Sequence, residues 1–203
     1  MRMEVIQTHE NDLQRMREIL NEYIGTKTAS SLSMLLGESV THRVRRIVET
    51  DSFDLESIIP VFDIIPMCSV YLKGEGDIHV GLLFFLPASM AKKFAAKMLG
   101  VKTMKRLSSL GRSSIAEAGN MMAGSFFNAL SDGTGFRVDM STPGFAADKF
   151  KALLESPASE LANVSERLVI AEAELHGVDS DIIVEILILL SPLEAKKLLS
   201  AQK

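Results

Sequence analysis

Apolar residues recur along the chain with two different periods, and each period predicts a different kind of element. A helical spacing of three or four residues predicts one helix over residues 12–35 and another over about 112–131. A shorter helix is predicted from Pro87 to Leu99, with Gly100 in the position after its end. Ser191, followed by proline, predicts the N-cap of a last helix.

Continuous apolar runs separated by turn residues predict two β-hairpins. The predicted strands are Val61–Leu72 with Ile78–Leu86, and Leu168–Leu175 with Asp181–Leu190. Residues 40–58 show no clear period, and residues 141–160 are expected to be an irregular excursion between strands.

The order helix, hairpin, helix occurs twice, which suggests an internal duplication. Residues 78–98 and 182–202 share 7 identities in 21 positions, and apolar residues match apolar residues through the strand. Any strand and helix rich in Leu, Ala and Lys would show part of this similarity. The prediction is an α+β protein with a single domain over 1–203, built from two halves related by a pseudo-twofold axis. The repeats would cover about 10–100 and 109–203.

Composition and charge narrow the class of protein. The chain has 203 residues, 47% of them hydrophobic, and a net charge of −4, which argues against a nucleic-acid partner. Its one cysteine, Cys68, allows no internal disulfide, and the four histidines lack metal-ligand spacing. The sequence shows no signal peptide or membrane-spanning stretch, so a cytoplasmic location is expected. The basic cluster at 43–46 is interpreted as a solvated face, with contact to an acidic partner or to nucleic acid as the alternative.

A polar stripe on the helix predicted over 112–131 is the strongest candidate for chemistry. Ser113, Glu117, Asn120 and Gly124 fall within about 60° of arc on a helix. The apolar residues of this helix fall on the opposite side, namely Ile115, Ala118, Met122, Phe126 and Ala129. Gly119, Ala123 and Gly124 keep the helix slim, so another surface is expected to approach it closely.

The first half repeats part of this stripe. Glu18, Asn21 and Gly25 have the same spacing as Glu117, Asn120 and Gly124. A third match, at Ser156, Glu160 and Asn163, has no mate in the other half. It is interpreted as the start of an ordinary capped helix.

Residues 117–130 resemble the second active-site helix of the CheC/CheX/FliY phosphatases of chemotaxis, and the duplication is similar to that of CheC. The family motif is Asp/Ser-x-x-x-Glu-x-x-Asn. It is complete in the second half at Ser113, Glu117 and Asn120. In the first half Gln14 replaces the Asp or Ser, and Leu20, Tyr23 and Lys27 are larger than usual.

The resemblance implies hydrolysis of the aspartyl phosphate of a CheY-like response regulator. Asn120, and by analogy Asn21, would position an in-line water, while Glu117 and Glu18 would pair with a lysine of the regulator. Ser113 and Gly124 would support docking. The chain itself would need no cofactor or metal, because Mg²⁺ is expected on the regulator. The alternative is a non-catalytic chemotaxis adaptor that binds the receptor deamidase CheD or a flagellar motor switch complex.

Overall fold

A single antiparallel sheet of seven strands organises the molecule. The computed structural model describes residues 2–51, 65–162 and 166–202. In chain order the strands are β1 (Val40–Asp51), β2 (Met67–Gly76), β3 (Val80–Pro87), β4 (Val138–Met140), β5 (Gly144–Asp148), β6 (Arg167–Gly177) and β7 (Ile183–Leu190). They lie in the order β1-β6-β7-β3-β2, and β2 continues the sheet by pairing with both β4 and β5.

Helices cover both faces of this sheet. They are α1 (Arg2–Tyr23), a π-helical turn (Ile24–Thr28), α2 (Ala29–Leu36), α3 (Ala88–Met98), α4 (Ser109–Thr134), α5 (Phe150–Ala162) and α6 (Pro192–Ser200). The main core lies between one face of the sheet and all helices except α5. On the other face α5 packs through Phe150, Leu153 and Leu154 onto Leu83 and Phe85 of β3.

The α+β fold in one domain is confirmed, with most elements where the sequence pattern places them. Both hairpins form, β2 with β3 and β6 with β7. Ser191 caps α6 by accepting a hydrogen bond from the backbone N–H of Glu194, at 3.2 Å. Gly100 follows α3 with a φ of 65°, a left-handed conformation that suits glycine. Residues 61–64 of the first predicted strand lie outside the described residues, and β2 begins at Met67.

The segment over 40–58, which shows no clear period in the sequence, contains β1, whose 12 residues pair with β6 along their length. Its alternation was hidden because the register shifts between Val44 and Arg46, which places an extra residue, Arg45, in the strand. The rest of that segment, residues 52–58, lies outside the described residues.

The expectation of an irregular excursion over 141–160 is wrong, because β5 and most of α5 lie there. Pro157 is inside α5, so the expected helix start after Ser156 is also wrong. Glu160 forms an ion pair with Lys73, at 3.2 Å, while Asn163 lies outside the described residues.

The order of strands in the sheet is compatible with two halves related by a twofold axis. Exchanging β2 with β6, β3 with β7, and β1 with the β4 and β5 pair reverses the order and preserves every neighbour. Leu83 and Leu187, which match in the sequence repeat, also face each other across β3 and β7. This arrangement is what a twofold axis through that pair would produce, and the pseudo-twofold symmetry and its repeat bounds stay a prediction.

Candidate functional site

Helix α4 presents the polar stripe on its outer side, as the spacing predicts. Ser113 and Glu117 are exposed, and Asn120 and Gly124 are half-buried. The five apolar residues expected on the other side are all at most 5% exposed. The helix starts at an N-cap, Ser108, whose hydroxyl accepts a hydrogen bond from the N–H of Gly111 at 3.1 Å.

The small residues of α4 have two different surroundings. Gly119 and Ala123 are buried inside the protein. A methyl group on Gly119 would lie 2.6 Å from Cγ1 of Val70 on β2. The expectation that these two residues admit an outside surface is therefore wrong, because β2 occupies the space beside Gly119 and Ala123 is fully buried. Gly124 differs, since within the described residues a methyl group there would meet only the Cε atom of Met140, at 4.0 Å.

The side chains of Glu117 and Asn120 are available for an external partner. Among the described residues, neither side chain takes part in a hydrogen bond or an ion pair. A carboxamide donates and accepts hydrogen bonds without titrating, and a carboxylate accepts hydrogen bonds or pairs with a cation. The stripe can therefore orient a polar molecule and bind a positive charge.

Exposed apolar side chains accompany the stripe, and the sequence analysis did not single them out. Leu110 is 62% exposed, Met121 39% and Met140 37%. Leu110 and Met121 lie on α4 within one turn of Ser113 and Glu117, and Met140 comes from β4 beside Gly124. Their helical spacing from the stripe could have identified the first two, but Met140 required the sheet topology.

The matching stripe of the first half is bound to its own sheet. The amide oxygen of Asn21 accepts a hydrogen bond from the backbone N–H of Val44, at 3.3 Å. Arg17 donates to the carbonyl oxygen of Val44 at 2.9 Å and to that of Arg45 at 3.2 Å. These groups flank the bulge in β1, where the ladder leaves backbone groups without strand partners. Asn21 is therefore engaged in the fold, unlike Asn120.

The other positions of the first stripe are also occupied. The ring of His42 on β1 covers Gly25 so closely that a methyl group there would overlap its Nε2 and Cε1 atoms. Gln14 donates a hydrogen bond to Glu18 at 3.1 Å, and both side chains are exposed. The first stripe thus has no counterpart of the open position at Gly124.

A π-helical turn explains why Lys27 is not a core residue of the first helix. Aligning the two halves without gaps makes Lys27 the counterpart of Phe126. The π turn over Ile24–Thr28, however, adds a residue to the first helix. As a result Thr28 is fully buried, whereas Lys27 faces solvent near Asp132, with a separation of 3.8 Å.

The basic cluster of β1 pairs with carboxylates of the neighbouring strands. Arg45 forms ion pairs with Glu174 of β6 and Glu185 of β7, and Arg46 pairs with Glu172 at 2.6 Å. Burial raises the pKa of Glu185 to about 7, although Arg45 opposes this shift. These arginines form ion pairs within the sheet and lie apart from the α4 stripe.

The described residues contain neither a metal site nor a membrane-spanning helix. No group of three His, Cys, Asp or Glu side chains in the described part of the chain could hold a metal ion. None of the helices within the described ranges combines the length and apolar character needed to cross a bilayer.

Comparison with known proteins supports the resemblance inferred from the motif. A model of the CheC-like family matches residues 110–146, which include the complete stripe of α4. The chain is 27% identical over 173 residues to the CheY-P phosphatase CheC of Bacillus subtilis, covering 82% of this chain and 80% of that protein.

Solved structures share the fold over almost the whole chain. The FliY structure of Thermotoga maritima superposes with a TM-score of 0.75 at 19% identity, covering 94% of this chain and 95% of that one. The middle domain of FliM from H. pylori gives a TM-score of 0.63 at 10% identity, covering 95% and 98%. At these identities the structures establish the fold alone.

Proposed function

Given that this chain resembles the CheC/CheX/FliY phosphatases of chemotaxis, we propose that it hydrolyses the aspartyl phosphate of a CheY-like response regulator. The observation that carries the proposal is the open stripe on α4, where Glu117 and Asn120 have no partner among the described residues. The same stripe lies in the segment matched by the family model. The first stripe, by contrast, is engaged by β1.

In the proposed reaction a water attacks phosphorus opposite the aspartyl oxygen. The bond between phosphorus and that oxygen breaks, which leaves a carboxylate on the regulator and inorganic phosphate. The phosphate carries away the proton lost by the water, so no side chain of this protein needs to act as a base. An acyl phosphate is already reactive, so the contribution required of the protein is mainly positioning.

Each residue of the stripe has a role that suits its chemistry. The amide oxygen of Asn120 would accept a hydrogen bond from the water and hold it in line. Glu117 would pair with a lysine of the regulator and fix the orientation of the two proteins. Ser113 would add a hydrogen bond at the edge of the interface, and Gly124 would leave room for the regulator's backbone. The regulator would bring its own Mg²⁺.

The apolar side chains around the stripe are suited to the same interface. Protein interfaces are enriched in methionine and aromatic residues at their centres, and a few such contacts dominate the affinity. Met121 precedes Gly124 by three residues on α4, and Met140 lies beside Gly124, so both exposed side chains can contact a docked partner while the polar groups reach its phosphate.

The experiment is to follow phosphate release from a phosphorylated CheY-like regulator with Mg²⁺, with and without this protein. Faster release that is lost in the double variant Glu117→Ala/Asn120→Ala is expected. Glu155→Ala/Asn11→Ala is a matched control, because both residues are exposed and lie on α5 and α1 rather than on α4. Unchanged release with the wild-type protein would reject the phosphatase function for that regulator.

A non-catalytic adaptor is the second candidate, and the closed first stripe favours it. One open stripe is sufficient for binding a partner, and the fold is shared with the FliM middle domain. Binding of a phosphorylated regulator without hydrolysis would support the adaptor role. Binding to CheD stays a separate prediction, to be tested with the purified deamidase.

A further inference from the structure

Positive charge is concentrated in one stretch of a chain whose net charge is −4. Residues 78–116 contain seven Lys and Arg side chains and no Asp or Glu. Lys97 is used within the fold, where it forms an ion pair with buried Glu38, and Lys93 donates to a backbone carbonyl oxygen. Four of the others are exposed, lie after the end of α3 and are called the basic rim below: Lys102, Lys105, Arg106 and Arg112.

The basic rim has no internal carboxylate to neutralise it. None of its four side chains forms a hydrogen bond or an ion pair with another described residue. The basic cluster of β1 differs, because its arginines pair with carboxylates of β6 and β7. Neighbouring charges of one sign repel one another, and an opposite charge bound beside them relieves that repulsion. The basic rim therefore favours a partner that carries negative charge.

Apolar packing holds the basic rim at the start of α4. A methyl group on Gly111, in the first turn of α4, would lie 3.0 Å from Cδ1 of Leu107 and 3.1 Å from Sδ of Met104. The side chains of both residues pack against the main core. Lys105 and Arg106 lie between them in the chain, so these two residues are held near Gly111 while their charged groups reach solvent.

The basic rim is continuous with the α4 stripe. Arg112 directly precedes Ser113, the first residue of the stripe, and both side chains are exposed. Leu110 lies in the same turn, is 62% exposed and adds an apolar contact surface. The first turn of a helix also carries partial positive charge from its backbone N–H groups. A partner bound to the stripe would therefore meet the basic rim at the N-terminal end of α4.

The chemistry of the proposed substrate selects the kind of partner. A phosphorylated aspartate is an anion, and the carboxylates that hold Mg²⁺ beside it add negative charge to the same surface of the regulator. Presenting that phosphate to Asn120 would bring this acidic surface next to the basic rim. Nucleic acid fits less well, because Glu117 lies in the adjoining stripe and the whole chain is acidic, so both repel a polyanion.

We propose that the basic rim binds an acidic surface of the regulator beside its phosphorylated aspartate and speeds the association of the two proteins. The inference rests on the proposed phosphatase function and adds a second set of contacts to the same partner. Exposed charges at the edge of an interface act mainly on the association rate. The basic rim is separate from Glu117 and Asn120, so it lowers KM and leaves kcat unchanged.

The test is the rate of phosphate release at increasing concentrations of the phosphorylated regulator, with Mg²⁺ present. Lys105→Gln/Arg106→Gln should raise KM by about fivefold at unchanged kcat, because each exposed ion pair contributes only modestly. Arg15→Gln/Lys196→Gln removes the same charge from exposed positions on α1 and α6 and should leave both constants unchanged. Lys105→Arg/Arg106→Lys keeps the charge and should retain the wild-type KM.

Salt gives a second measure of the same contact. From about 0.1 M to about 1 M NaCl the screening length falls from about 10 Å to about 3 Å. The KM values of the wild type and of Lys105→Gln/Arg106→Gln should therefore converge at high salt. A difference that stays constant would contradict an electrostatic contact.

Other outcomes would overturn the proposal and leave the phosphatase function standing. An unchanged KM in Lys105→Gln/Arg106→Gln would show that the basic rim makes no contact with the regulator. An equal rise of KM in the α1 and α6 control would indicate general charge attraction. Stronger binding to a DNA duplex or to phosphatidylglycerol vesicles than to the regulator, at about 0.15 M NaCl and lost in the same variant, would assign the basic rim to a different partner.

Failure of the phosphatase function itself would be recognised separately. If the wild type does not accelerate phosphate release, its binding to the phosphorylated regulator is compared with that of Lys105→Gln/Arg106→Gln. Weaker binding of the variant would support the contact without hydrolysis, whereas equal binding, or none, would reject it.

Discussion

The two asparagines that match between the halves should respond in opposite ways to the same substitution. Asn21 accepts a hydrogen bond from the β1 backbone, and Asn120 has no partner among the described residues. We predict that Asn120→Ala abolishes most of the phosphatase activity without affecting stability. Asn21→Ala should lower stability and affect activity less.

The magnitudes follow from what each side chain contacts. Removing the acceptor of the Val44 N–H costs about 1 kcal/mol, the usual net value of a hydrogen bond. For a domain of this length that corresponds to a fall in Tm of about 2–4 °C. Asn120→Ala removes no hydrogen bond or ion pair among the described residues, so the free energy of unfolding should change by less than about 0.5 kcal/mol. Losing control of the water's position should reduce the rate by on the order of 100-fold.

Thermal melts and phosphate release from the same preparations measure both effects. Asn11→Ala, at an exposed asparagine on α1, controls for substitution in a helix. Equal losses of activity in the two variants would mean that both halves carry comparable sites. A larger loss in Asn21→Ala would show that the first half is the active one. Full activity in the double variant Asn21→Ala/Asn120→Ala would refute positioning of water by these amides.

Three further predictions test the packing and charge around the sites. Gly124→Leu should weaken regulator binding with the fold intact, as a binding assay would measure. Gly119→Ala should lower the free energy of unfolding by about 1–3 kcal/mol in urea, because its methyl group overlaps β2. Glu38→Ala should destabilise by about 2–3 kcal/mol in urea unfolding, because it removes the buried acceptor of Lys97 and Ser180. Because the folded pKa of Glu185 is raised from 4.5 to about 7, its stabilising contribution is present below pH 4.5 and is lost as the pH rises to about 7. Urea midpoints measured across that range should therefore vary less with pH in Glu185→Gln than in the wild type, and an unchanged profile would contradict the assignment.

The sequence predicted the elements whose apolar residues recur regularly and whose ends carry the usual capping or turn residues. Helix α6 with its Ser191 cap, the β6–β7 hairpin and the outer stripe of α4 all depend on residues close together in the chain. Local patterns are sufficient for such elements.

The elements that were missed depend on contacts between distant residues. The polar face of β1 is stabilised by carboxylates more than 120 residues away, and its bulge interrupts the alternation. Helix α5 contains Pro157, which argues against a helix, but its apolar face covers the outer side of the sheet. Tertiary packing outweighs propensity in such segments. The same reason explains Gly119, whose close neighbour on β2 could not be read from α4 alone.

The difference between the halves arises from the edge strand beside each stripe. Beside the first stripe, β1 is a continuous strand of 12 residues that brings His42 over Gly25 and directs the N–H of Val44 to Asn21. Beside the second, the edge is divided into β4 and β5, and only Met140 approaches Gly124. The asparagine of the repeated pair is thus bound to β1 in one half, whereas in the other it has no partner among the described residues. Since a site that acts by positioning must reach its substrate, we propose that the neighbouring strand, rather than the motif itself, determines which half can act.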